Sequence, residues 1–128
     1  MAAYLLDTHA LLWYAGADPR LPPAIAELIN NPDVTVAVSR VSLWEITIKD
    51  SLGKLFLPKP YPEWMRLVLA SDFQILGITD EHLGQLHTLP YHHRDPFDRL
   101  LLAQAITENL TLLSRDAKFA SYPVSVLW

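Results

Sequence analysis

The sequence predicts an α/β sandwich built around a mostly parallel sheet. Three observations lead there. Short apolar runs suited to buried strands alternate with stretches of helical spacing along the whole chain. No internal repeat, low-complexity tract or long linker divides it. At 128 residues, 51% of them hydrophobic, the chain is long enough for one domain, residues 1–128, with a real core.

Ala3-Tyr4-Leu5-Leu6 reads as a buried strand ending in Asp7-Thr8. His9 to Ala15 follows as a helix, with Thr8 as its expected cap and Gly16 and Pro19 as its stop. Pro22-Pro23 opens a second helix through Ile29, closed by Asn30-Asn31-Pro32, and the β-branched run Val34 to Val38 is a strand. Ser39 to Leu52 is helical and stops at Gly53; Val41, Trp44, Ile48 and Leu52 form its expected inward stripe. A connector leads to a helix from Tyr61 to Ser71, a strand from Phe73 to Ile78 and a short helix from Thr79 or Asp80 to about Thr88. Asp95-Pro96 starts the next helix, with Leu110 to Ser114 and Val124 to Leu127 as the remaining strands.

Composition narrows the chemistry. Without cysteine there is no disulfide, thiolate zinc site or cysteine nucleophile, which fits a reducing cytoplasm. No signal peptide is visible, and no apolar run approaches the roughly 20 residues that span a bilayer, so no membrane partner is expected. Ten Lys and Arg stand against fourteen Asp and Glu, net −4, which argues against nucleic-acid binding by bulk positive charge. That argument weakens if cations neutralise some of the acids.

The helix opened by Asp95-Pro96-Phe97-Asp98-Arg99 poses the sharpest question. At 100° per residue its inward face reads Leu101, Leu102, Ala105 and Ile106, and Asp98 falls within the same arc. A carboxylate aimed at a core must find a partner, lose its charge or bind a metal. Three other acids sit at comparable places. Asp7 and Asp116 follow strands, where open parallel sheets form their sites, and Glu45 borders the inward stripe of its helix. Each has a plain reading: a turn or cap for Asp7 and Asp116, an i+4 pair with Lys49 for Glu45, a capping arrangement with Asp95 for Asp98. Converging carboxylates about 4 Å apart would repel by roughly 4 kcal/mol per pair at an effective dielectric near 20, so a shared crevice needs protons or cations. An all-oxygen set favours Mg²⁺ or Mn²⁺ over zinc.

Leu5-Leu6-Asp7-Thr8-His9, Val41-Ser42-Leu43-Trp44-Glu45-Ile46, Asp95-Pro96-Phe97-Asp98-Arg99 leading into Leu102-Ala103-Gln104-Ala105, and Leu113-Ser114-Arg115-Asp116 together resemble the PIN-domain family, in order across essentially the whole chain. The likeness is to VapC-type toxins of type II toxin–antitoxin pairs. It implies a PIN-like three-layer α/β sandwich, a mostly parallel central sheet flanked by helices. It also implies a Mg²⁺- or Mn²⁺-dependent endoribonuclease with Asp7, Glu45, Asp98 and Asp116 as catalytic metal-binding acids, and Thr8 and Ser114 as orienters of those acids. Asp95 holds the capping position and takes a structural role, with metal contact as its other reading. The implied partners are an RNA substrate, a small cognate antitoxin and a second copy of the chain, for which the outward-facing Leu43 and Ile46 are modest support.

Positive charge for gripping RNA lies close in sequence to the acids, at Arg94, Arg99, Arg115 and Lys118, with Arg40, Lys49 and Lys54 flanking Glu45. The same residues can serve as carboxylate partners or solubilising groups. His9, His92 and His93 read as polar loop residues, with metal ligation or proton transfer as the sharper alternative. Tyr91 and the tryptophans could stack on bases, although Trp13, Trp44 and Trp64 have helical spacing that suits a core. Three other functions stand beside the toxin. One is a non-toxin nuclease for RNA processing or structured DNA. Another is a non-catalytic RNA- or protein-binding module. The third is a phosphotransferase with Asp7 as nucleophile, for which the pattern after Asp7 is poor.

Overall fold

Tyr4–Leu6 forms the central strand, β1, of a five-stranded sheet in the computed structural model, which describes residues 2–128. The other strands are β2 (Val36–Ser39), β3 (Gln74–Leu76), β4 (Thr111–Leu113) and β5 (Val126–Leu127), in the order β3-β2-β1-β4-β5. Every pairing is parallel, with Leu5 beside Ala37 on one side and Leu112 on the other. Parallel strands need crossover connections, and helices supply them: α1 (Thr8–Ala15), α2 (Pro23–Asn30), α3 (Arg40–Ser51), α4 (Tyr61–Ala70), α5 (Asp80–Thr88) and α6 (Pro96–Thr107).

The unbroken apolar strands follow from covering both faces of the sheet. Successive side chains point to opposite sides, so Leu5 and Leu112 join Leu101, Leu102 and Phe119 in one core, while Leu6 and Leu113 join Leu11, Ile25, Ile46 and Trp64 in the other. The result is the expected three-layer α/β sandwich. Strands run shorter than the sequence suggests, and a 3-10 turn at Ala117–Ser121 was not foreseen. Among the described residues, no helix is long and apolar enough to cross a membrane.

Two helices depart from their wheels. In α3, Val41 packs into the first core while Leu43 and Ile46 are buried in the second. Trp44 and Leu52, expected inside, are 55% and 60% exposed. The helix touches both α1 and α6, so it buries two flanks instead of one stripe, with Ser42 and Glu45 on the ridge between them. Leu43 and Ile46 are therefore covered within the chain and no longer argue for a homodimer. In α6, every residue from Arg99 to Ala105 is buried, and Ile106, expected inside, is only half-buried. Packing against α5 and α3 as well as the sheet surrounds this helix.

Its polar residues are satisfied accordingly. Gln104 Oε1 accepts the Ser39 hydroxyl, and its Nε2 donates to the Gly77 carbonyl at 3.1 Å. Gln104→Ala should cost about 1–2 kcal/mol, because it strands the buried Ser39 hydroxyl and removes the bond to the Gly77 carbonyl. A shift of the urea midpoint at unchanged slope would show it. Arg99 donates to the Pro90 and Leu89 carbonyls at 2.8 and 3.3 Å under the Tyr91 ring. This arginine ties down the 89–91 turn and is unavailable for gripping a substrate, one of the uses the sequence left open for it.

Candidate active site

The carboxyl ends of β1 and β4 lie side by side, and the chain leaves each strand through an aspartate. Asp7, not Thr8, caps α1: its Oδ1 accepts the Ala10 N–H at 2.7 Å. Thr8 is thus the first helical residue, and its hydroxyl points across to α3, donating to Glu45 Oε1 at 2.8 Å with the Ser42 hydroxyl 3.0 Å away. After β4, Ser114 Oγ accepts the Asp116 N–H at 3.0 Å and also hydrogen-bonds Asp7, so one hydroxyl links two acids. Asp116 Oδ1 accepts the Lys118 N–H at 2.9 Å and starts the 3-10 turn. Thr8 and Ser114 thus each hydrogen-bond an acid of the cleft.

Asp98 arrives from the third direction. Asp95 caps α6, accepting the Phe97 and Asp98 N–H groups at 2.9 and 3.1 Å, and Pro96 supplies the first turn. With the cap provided, the Asp98 side chain, 24% exposed, is left to face the cleft and His93. All four predicted acids line one cavity of about 370 Å³, and Asp95 lies on its wall. The tightest grouping is narrower: oxygens of Asp98 and Asp116 with a His93 nitrogen, all within 4.8 Å of one another. Asp7 and Glu45 line the cleft without joining that set.

The electrostatics are those of crowded acids. Burial pushes the Asp98 carboxyl up to about 7, with repulsion from Asp95, Glu45, Asp7 and Asp116 adding to it. Burial also raises Asp7, against the pull of its hydrogen bonds with Ser114 and Ala10. Lys49 answers part of this charge. Its Nζ sits 2.6 Å from Glu45 Oε2, and that hydrogen bond raises its own pKa. The i+4 pair read as a plain surface contact is present, but its carboxylate is buried.

Cations also stand at the mouth. The Arg115 and Arg20 guanidiniums lie 4.7 and 5.0 Å from the ring of the buried Trp13, and both line the cavity. Arg20 is held by Asp18 at 2.7 Å. Arg94, Lys118, Arg40 and Lys54 do not line this cavity. One participant escaped the sequence reading: Arg20 sits far from every acid motif and gives no local signal. Of the three histidines named from the sequence, His93 is a buried loop residue beside the acids, and His9 and His92 are exposed. An ordered set of hard oxygen donors, under-neutralised by protein cations, fits a divalent ion.

Comparisons with known proteins agree with this geometry. The PIN domain family model matches residues 4–124. Ribonuclease VapC22 of Mycobacterium tuberculosis is 30% identical over 131 residues, spanning 98% of this chain and 99% of that protein. VapBC2 of Rickettsia felis, solved with a promoter DNA fragment, superposes with a TM-score of 0.75 at 20% identity, covering 98% of this chain and 97% of that one. FitAcB of Neisseria gonorrhoeae gives 0.70 at 19% identity, over 98% and 96%. With a family match over nearly its whole length, the same fold, and the four acids brought to one cleft, the chain belongs to the PIN-domain family.

Proposed function

We propose that this protein is a metal-dependent endoribonuclease and the toxin of a toxin–antitoxin pair, acting in the cytoplasm. The observation that carries the reading is the convergence of Asp7, Glu45, Asp98 and Asp116 on one cleft beyond the ends of a parallel sheet. The ribonuclease named among its relatives aligns along the full chain, and solved neighbours are toxin–antitoxin complexes. A small antitoxin and a homodimer belong to the same proposal.

The four acids would hold Mg²⁺ or Mn²⁺, the hard ions that carboxylate oxygens select. Such an ion, when bound, favours hydroxide at the attacking water and stabilises charge on the leaving 3′ oxygen of the phosphodiester. The chain's own residues prepare the site. Ala10 N–H and the Ser114 hydroxyl fix Asp7, and Thr8 fixes one oxygen of Glu45. Lys49 donates a hydrogen bond to the other oxygen. Arg115, supported on Trp13, presents a guanidinium to a phosphate entering the acid-lined cleft.

Incubating the protein with single-stranded RNA and with DNA of matching sequence tests the reading. RNA fragments that require Mn²⁺ or Mg²⁺ and vanish with chelator are expected, with the DNA intact. DNA cleavage alone would move the protein to another branch of nuclease chemistry. Induced expression should arrest growth, and the neighbouring small open reading frame should relieve it; unaffected growth would remove the toxin assignment.

A further inference from the structure

One buried group beside the acids has no part in this mechanism so far. His93 is 7% exposed, and its ring stacks on Phe119 at 5.9 Å between centroids and 19° between planes. Its Nδ1 accepts the backbone N–H of Asp95 at 3.2 Å. Its Nε2 lies 3.1 Å from Asp98 Oδ2 and 3.6 Å from Asp116 Oδ2, aimed between them without a well-directed hydrogen bond to either.

Two roles suit an imidazole in that place: a nitrogen ligand to the ion, or an N–H donor to the carboxylates. The spacing of the three groups permits the first. The Asp95 amide decides against it. A neutral imidazole carries one proton, and Nδ1 uses its lone pair on that amide, so the proton is on Nε2. Ligation through Nε2 would require the proton on Nδ1, where it would face the part-buried Asp95 N–H, donor against donor. Histidines that bind metal have the reverse arrangement, with the remote N–H given to a carbonyl or carboxylate.

We propose that His93 is a positioning residue: it presents Nε2–H between the Oδ2 atoms of Asp98 and Asp116 and sets the spacing of these two acids for the ion without binding it. The role rests on the metal-dependent reading above. It also links the cap to the site. The Asp95 amide orients His93 while the Asp95 carboxylate starts α6, so one residue aims both the donor and the acid it touches.

Long-range ¹H–¹⁵N spectra of the metal-free full-length protein should show His93 protonated at Nε2 and bare at Nδ1; the opposite tautomer overturns the proposal. Pulsed EPR of the Mn²⁺-loaded wild type should show no directly bound imidazole nitrogen. A nitrogen coupling that His93→Gln removes would make His93 a ligand instead. By calorimetry, His93→Ala should bind Mn²⁺ about 10–100-fold more weakly, and His93→Gln, which keeps an N–H near the Nε2 position, should recover much of the loss. Wild-type affinity in a folded His93→Ala protein refutes the positioning role. Absence of Mn²⁺ binding by the wild type itself overturns the metal reading, and the positioning role with it, whatever tautomer the spectra show.

Discussion

Asp98→Asn is expected to cut RNA cleavage by about a thousandfold or more while making the metal-free protein more stable. A thousandfold corresponds to about 4 kcal/mol of lost transition-state stabilisation, the scale of removing a charged ligand from a metal-assisted hydrolysis. The amide keeps the shape of the side chain but surrenders its charge. Stability moves the other way because this carboxylate is held charged only with difficulty. Burial first, and then four neighbouring acids, push it up to about 7 from 3.8. Three units would amount to about 4 kcal/mol if fully realised. Solvent reaches part of this side chain, so about 1–2 kcal/mol is the expected gain. A rise in Tm of several degrees without metal, combined with lost activity, is the paired result. An active Asp98→Asn protein in the presence of chelator would sink the assignment.

The same crowding predicts how pH and metal act together. The raised carboxyl binds its proton more tightly in the folded state, so this group favours folding below about 3.8 and loses that contribution as pH climbs to about 7. Divalent ions bind the charged form and remove the repulsion. Mn²⁺ at a hundredfold excess over its Kd should therefore add about 2.7 kcal/mol at pH 8 and progressively less toward pH 5. Thermal melts at the two pH values, with and without Mn²⁺, read this directly. An equal Mn²⁺ shift at both would mean that the ion is held elsewhere.

Much of this site was legible because its acids stand at the ends of elements. Asp7 and Asp116 follow strands whose apolar runs are unmistakable, and Asp95-Pro96 announces a helix start that leaves Asp98 without a capping task. What local patterns could not supply came from tertiary contact. A helical wheel assumes one buried face, and α3 has two, so Trp44 and Leu52 were placed inside and Leu43 and Ile46 outside. Burial of His93 is likewise non-local. Its ring rests on Phe119 in the 3-10 turn, an element too short to show a period, so the burial that singles out His93 among the three histidines was not legible. Arg99 illustrates the converse: its charge suggested a substrate, but its partners are two backbone carbonyls of a turn.

The pairing of β1 with β4 has a consequence during synthesis. Leu5 meets Leu112 across the sheet, and Asp7 receives its Ser114 contact only through that pairing. On the ribosome, β1, α1 and α3 emerge long before β4, so a growing chain can carry Asp7 and Glu45 while the Asp116 side of the cleft does not yet exist. Long-range parallel pairing closes late, after its loop entropy has been met. Under the proposed function, a nascent chain would lack the complete acid cleft until β4 has left the ribosome and docked.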